Sequence, residues 1–164
     1  MKKLIGMEMI SSSGPSITDL EISLVTEAVT EGWGEKMNFH LDQFVQEFKD
    51  YNGFEYCLPT SHCNNALHLA LLCLGITKGD EVIVPDLTWV STAACVTYVG
   101  ATPRFADVDR KTWCVNKKEV FKKITKKTKA LIVVDLLGNM PNYDELIDLC
   151  NEYKIYLIID AAQS

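Results

Sequence analysis

His62, Cys63, Asn64 and Asn65 follow Pro59-Thr60-Ser61 and lead directly into the apolar stretch Ala66-Leu67-His68-Leu69-Ala70-Leu71. A helix that begins there has several backbone N–H groups with no intrahelical acceptor, and such an end suits a phosphate. Pro85-Asp86-Leu87-Thr88-Trp89 can add an aromatic face, Asp135-Leu136-Leu137-Gly138 an acidic turn, and Asp160-Ala161-Ala162-Gln163-Ser164 a carboxylate followed by a side-chain amide. A phosphate cradle, an aromatic plate and an acidic residue make a pocket for a flat, phosphorylated, cationic heterocycle. Pyridoxal 5'-phosphate (PLP) is such a molecule. Its ring accepts electrons while the pyridine nitrogen stays protonated, and a carboxylate beside that nitrogen keeps the proton in place. Periodicity alone does not separate PLP from a nucleotide. No G-x-G-x-x-G follows any strand and no Walker A loop occurs, which disfavours a dinucleotide or a P-loop site.

These residues can converge only if the elements between them bring the four loops to one edge. From residue 54 onward, short β-branched or apolar runs alternate with helix-length segments, the pattern of an α/β domain with a largely parallel sheet. Strands are expected near 54–58, 81–84, 102–106, 130–135 and 155–160, with helices in the gaps. In such sheets ligands bind beyond the carboxyl ends of the strands, which is where the four loops fall. Thr18 with Glu21, Asn116 with Glu119, and Asn142 with Glu145 have the spacing of a capping box, and Gly32, Gly53, Gly75 and Gly100 follow periodic segments as stop signals. Two amphipathic helices precede the first strand: about 18–31 with Leu20, Leu24, Val25 and Ala28 on one face, and about 39–51 with Phe44, Val45 and Phe48. The expected organisation is a helical arm over 1–53 and a sheet domain over 54–164.

Composition sets outer limits. A chain of 164 residues that is 48% hydrophobic and 23% charged can bury a core, which excludes a disordered chain. Its longest apolar runs, Ala130 to Val134 and Ile155 to Ile159, are strand-sized and far below the roughly 20 residues of a membrane span. Met1-Lys2-Lys3-Leu4-Ile5-Gly6 lacks the sustained apolar region of a signal peptide, so a cytoplasmic location is expected. None of the six cysteines belongs to a C-x-x-C pair and most sit in apolar segments, which predicts free thiols. The net charge of −6 argues against nucleic acid as a partner, and the seven lysines within Lys117 to Lys129 read as a solvated helix and turn. His68 reads as a packed histidine among leucines, whereas His62 stands at the mouth of the expected pocket. His62 and Cys63 are adjacent but have no orienting acid, so a nucleophilic pair is not expected. Asp135 could reach the pocket or cap its own loop.

Several blocks carry a family resemblance. Ser61-x-x-x-x-Ala-Leu-His-Leu-Ala-Leu, Leu-Gly-Ile-x-x-Gly-Asp-Glu-Val-Ile-Val-Pro at 74–85, Gly-Ala-Thr-Pro-x-Phe-x-Asp-Val-Asp at 100–109, Ile-Thr-x-x-Thr-Lys-Ala at 124–130 and Asp-Ala-Ala-Gln at 160–163 resemble the DegT/DnrJ/StrS-type sugar aminotransferases in order and spacing. Glu31-Gly32-Trp33 resembles the Gly-Trp segment after the family's first helix. The resemblance implies the large domain of a fold-type I PLP-dependent transferase, mostly parallel sheet with flanking helices. It also implies a homodimer that moves an amino group from an amino acid, usually glutamate, to a nucleotide-linked keto sugar. By position it implies that Asp160 pairs with the pyridine nitrogen, Gln163 bonds the ring hydroxyl, Trp89 stacks on the ring, and Cys63, Asn64 and Asn65 cradle the phosphate. Trp33 and His62 are candidates for substrate contact. No metal site is expected.

Two departures qualify the resemblance. His62-Cys63-Asn64 stands where the family has Ser-Gly-Thr, so the close approach that glycine allows is lost while backbone amides remain. The family's Schiff-base lysine, last strands and small C-terminal domain follow the Asp-Ala-Ala-Gln block, and so are expected beyond Ser164. On that expectation the chain holds no catalytic lysine and is an incomplete cofactor domain, inactive alone and with 54–58 as a poorly held edge strand. The alternatives are an inactive or partner-docking fragment, and a PLP-dependent sugar dehydratase of the same family.

Overall fold

A computed structural model describes residues 14–164, and the chain divides into two compact units between Pro59 and Thr60. In the first unit, helix α1 (Asp19–Glu31) starts from a complete capping box: the Thr18 N–H donates to Glu21 Oε2 at 2.6 Å and the Leu20 N–H to Thr18 Oγ1 at 3.3 Å. At its end, a Cβ on Gly32 would lie 2.3 Å from the Ala28 carbonyl oxygen, so only glycine fits. Helix α2 (Phe39–Asn52) ends at Gly53 with φ 69°, the left-handed cap that glycine adopts without a Cβ penalty. No residue of either helix is buried, and Leu20, Val25, Phe44 and Phe48 are exposed. Residues 54–58 form no strand, which corrects the expectation for that segment. A strand exists only as half of a hydrogen-bonded ladder, and none of the described strands offers these residues a partner.

The second unit is an α/β layer structure. Its chain order is α3 (Cys63–Cys73), β1 (Glu81–Pro85), α4 (Val90–Tyr98), β2 (Thr102–Ala106), α5 (Lys117–Phe121), β3 (Thr128–Val134), α6 (Tyr143–Tyr153) and β4 (Tyr156–Asp160). The other four expected strands are therefore present, with ends shifted by at most two residues. Every pairing is parallel and the sheet order is β2-β1-β3-β4. Asn116 and Asn142 cap α5 and α6 by accepting from the Glu119 and Glu145 N–H groups at 3.0 and 3.4 Å.

Period-two alternation divides the core between the two faces of the sheet. Val82, Val84, Ala130 and Ile132 pack with Leu67, Leu71, Cys95 and Val96 of α3 and α4. Ile83, Leu131 and Val133 point the other way, onto Val120 of α5 and Leu146, Leu149 and Cys150 of α6. In β4, Ile158 packs on the α3/α4 side and Leu157 on the α5/α6 side. The same parity sends Asp160 toward α3 and α4. Among the described residues β2 and β4 are the two edge strands, and the outer edge of β4 pairs with no strand.

Candidate functional site

A cavity of about 250 Å³ lies beyond the carboxyl ends of β1, β3 and β4. The start of α3 contributes His62, Cys63, Asn64 and Leu67; the β1–α4 turn contributes Thr88, Trp89 and Ser91; β3, β4 and the segment after β4 contribute Val134, Asp160, Ala162 and Gln163. A wider groove of about 510 Å³ by Lys117, Lys118, Phe121 and Glu145 is open to solvent and lined by charges of both signs, so it offers a ligand no fixed buried partner.

Asp160 is 7% exposed and accepts three hydrogen bonds. Thr92 Oγ1 donates to Oδ2 at 2.9 Å, while Cys63 Sγ and the Ala162 N–H both donate to Oδ1 at 3.3 Å. An ionised carboxylate has about four acceptor positions, so one is left at the cavity wall. Burial pushes the Cys63 thiol up to about 11, and the Asp160 charge and hydrogen bond add to that, so at neutral pH Cys63 keeps its proton and donates it. The adjacent Cys95, fully buried and donating to the Thr92 carbonyl at 3.2 Å, is also pushed up to about 11 by burial. These raised values fit inert packed thiols.

The amino-terminal end of α3 faces this carboxylate. His62 occupies the N-cap with extended backbone and no side-chain capping bond. The Asn65 and Ala66 N–H groups turn back to the His62 carbonyl, which leaves those of Cys63 and Asn64 at the free end of the helix. Asn65 itself does not line the cavity: its N–H is used in that turn and its side-chain amide donates to Ser61 Oγ at 2.7 Å. Trp89 is the N-cap of α4 and leaves 68% of its surface exposed at the cavity. Gln163 is held through its oxygen, which accepts from the Leu137 N–H at 2.9 Å, and its amide N–H₂ makes no further bond among the described residues. Leu137 carries that N–H at φ 54°, a left-handed backbone that is uncommon for leucine.

The structure thus gathers His62, Cys63, Asn64, Trp89, Asp160 and Gln163 around one cavity. Trp33 lies in the first unit, exposed, with its indole N–H donating to the Val29 carbonyl at 2.7 Å. Asp135 makes no side-chain capping bond to its own turn. It is 3% exposed, receives the Tyr143 hydroxyl on one oxygen and Ser164 Oγ on the other at 3.1 Å, and does not line the cavity. Burial, then the hydrogen bond to Asp135, raises the Tyr143 hydroxyl above its ordinary value. Sequence reasoning missed Thr88, Ser91 and Thr92. The signal available for Thr88 and Thr92 was their i, i+4 spacing across the first turn of the helix after β1. No lysine among the described residues lines the cavity.

Residues 15–164 match the DegT/DnrJ/EryC1/StrS aminotransferase family. The chain belongs to that family. A curated relative, GDP-perosamine synthase of Escherichia coli O157:H7, is 36% identical over 158 residues, covering 96% of this chain and 43% of the relative. Among solved structures, an aminotransferase from Psychrobacter cryohalolentis superposes with a TM-score of 0.89 at 31% identity, covering 93% of this chain and 39% of that one. NtdA from Bacillus subtilis with bound cofactor PMP gives 0.82 at 30% identity, with coverages of 90% and 35%. The chain therefore spans about two fifths of the length of the family members it matches. Among the described residues, no helix is long and apolar enough to cross a membrane.

Proposed function

We propose that the protein is a PLP-dependent aminotransferase that takes an amino group from an amino acid, glutamate in the first instance, and delivers it to a keto sugar carried on a nucleotide. The observation that carries this reading is Asp160, a buried carboxylate at the end of β4 with one acceptor position left at the cavity wall and an uncapped helix end across from it. That donor and acceptor set fits PLP, whose ring nitrogen carries a proton and whose phosphate is an anion. When bound, PLP supplies an electron sink for the carbanion formed at the amino donor. The residues of this chain do the rest. Asp160 holds the proton on the ring nitrogen, and the free N–H groups of Cys63 and Asn64 donate to the phosphate. Trp89 covers one ring face and keeps water from it. Because Leu137 holds the oxygen of Gln163, its amide N–H₂ is the end available to a ring oxygen. His62, exposed at the mouth, meets the sugar substrate.

The family ties the sugar class to this reading; fold alone would not. We assign the lysine that carries PLP to sequence outside residues 14–164, and expect a cytoplasmic homodimer. The test is spectroscopic. The natively produced protein, loaded with PLP, is mixed with L-glutamate, and the cofactor absorbance is followed. The expected result is conversion to the amine form, reversed by a nucleotide-linked keto sugar with release of an amino sugar. No glutamate-dependent change in a demonstrably PLP-loaded protein would overturn the reading.

A further inference from the structure

Most threonines inside the described helices spend their hydroxyl on their own backbone. Thr26 donates to the Ile22 carbonyl, Thr30 to Thr26 and Thr97 to Ala94, at 2.7–2.8 Å. This back-bonding is the ordinary local outlet for a helical threonine. Thr92 departs from it. Fully buried in the first turn of α4, it donates at 2.9 Å to Asp160 Oδ2, a residue 68 positions away in sequence. Its oxygen also lies 3.0 Å from Thr88 Oγ1.

The proton count orders this chain. A hydroxyl has one proton, and that of Thr92 goes to the carboxylate, which when ionised can only accept. Thr88 must then be the donor in the Thr88–Thr92 contact. The result is a directed relay, Thr88 to Thr92 to Asp160, that ends on the one oxygen with no other donor; Cys63 and Ala162 both serve Oδ1. Rotation of a carboxylate about its terminal torsion is soft and roughly two-fold, so backbone packing alone does not fix its plane. Donors on both oxygens do fix it. Thr92 does not itself line the cavity, so whatever it contributes passes through Asp160.

We propose that Thr92, oriented by Thr88, is a positioning residue that sets the plane of the Asp160 carboxylate for a protonated ring nitrogen. This inference rests on the assignment of Asp160 to the PLP nitrogen. The experiment compares Thr92→Val, which keeps the shape and removes the hydroxyl, with Thr92→Ser, which keeps the hydroxyl. Both are made in the natively produced, PLP-loaded protein. The readouts are PLP affinity and the pH midpoint of protonation at the cofactor's ring nitrogen, followed by the nitrogen-15 NMR shift of labelled PLP. Thr92→Val is expected to weaken PLP binding about five- to tenfold and to lower the midpoint by about half a pH unit or more, since a misaligned carboxylate holds the ring proton less well. Thr92→Ser restores both.

Asp160→Asn, measured in parallel, separates the two levels of the argument. If Asp160→Asn leaves affinity and midpoint unchanged, the PLP assignment fails and this inference falls with it. If Asp160→Asn changes both while Thr92→Val behaves as wild type, the positioning role alone is overturned. The role is equally overturned if Thr92→Ser is as impaired as Thr92→Val. Should Thr92→Val not fold, Thr88→Val removes the outer link at a half-buried position. It must lower the midpoint in the same direction, and an unchanged midpoint there overturns the role.

Discussion

Asp160→Asn is a cleaner perturbation here than at most buried carboxylates, because the surrounding donors determine how an amide can sit. The Ala162 N–H cannot accept a hydrogen bond and the Cys63 thiol is a poor acceptor, so the amide oxygen must take the Oδ1 position, 3.3 Å from each. The amide N–H₂ then replaces Oδ2 and points at Thr92 Oγ1, 2.9 Å away. Thr92 can accept that bond by turning its own proton toward Thr88, which reverses the relay without breaking it. No buried group loses its partner, so the unfolding free energy of the protein without cofactor should stay within about 1 kcal/mol of wild type. What the variant removes is the negative charge. A hydrogen bond to a charged group contributes roughly 1.5–3 kcal/mol, which at about 1.4 kcal/mol per factor of ten predicts PLP binding weakened some 10- to 150-fold. The assay is equilibrium titration of the natively produced protein with PLP, followed by cofactor absorbance, alongside chemical denaturation of the unloaded form. Wild-type affinity in a folded variant would refute the assignment. A collapse of stability by several kcal/mol would refute the hydrogen-bond accounting instead.

Two further outcomes follow from the buried thiols and from one strained backbone position. Burial raises the Cys95 and Cys150 thiols from an ordinary 9.0 to about 11, so the native state holds these protons more tightly than the unfolded chain. Their contribution is fully present below pH 9 and is lost as pH rises toward 11. Denaturation midpoints should fall over that window, and a Cys95→Ala/Cys150→Ala variant should flatten the fall; equal slopes in the two proteins would count against the argument. Lys154 caps α6 at φ 55°, a left-handed conformation that costs a non-glycine residue roughly 1–2 kcal/mol. Lys154→Gly should therefore raise the unfolding free energy by about 0.5–1 kcal/mol after the added chain entropy of glycine, and a lower thermal midpoint would contradict this.

Much of the architecture is local in origin and was legible from residues 81–160. Val82-Ile83-Val84 and Ala130-Leu131-Ile132-Val133 read as strands because a run buried on both faces is continuously apolar, and they form the two central strands. Thr18, Asn116 and Asn142 marked three helix starts because a cap is satisfied within three residues. Residues 54–58 failed the same reading. Their composition suits a strand, but a strand requires a partner ladder, and pairing is a property of the whole sheet.

At the candidate site the division is similar. The helix start, the Trp89 loop and the Asp-Ala-Ala-Gln block were legible as neighbours around one cavity, since parallel strands bring those loops to one edge and alternation along β4 turns Asp160 toward α3 and α4. Three things needed the tertiary structure. Asn65 left the cavity because its amide found Ser61; Asp135 turned to Tyr143 and Ser164 instead of the pocket; and Thr92 became the inner donor to Asp160. Each is a choice among hydrogen-bond partners of similar strength. Sequence spacing lists the donors and acceptors, but only the folded packing decides which of them are within 3 Å of one another.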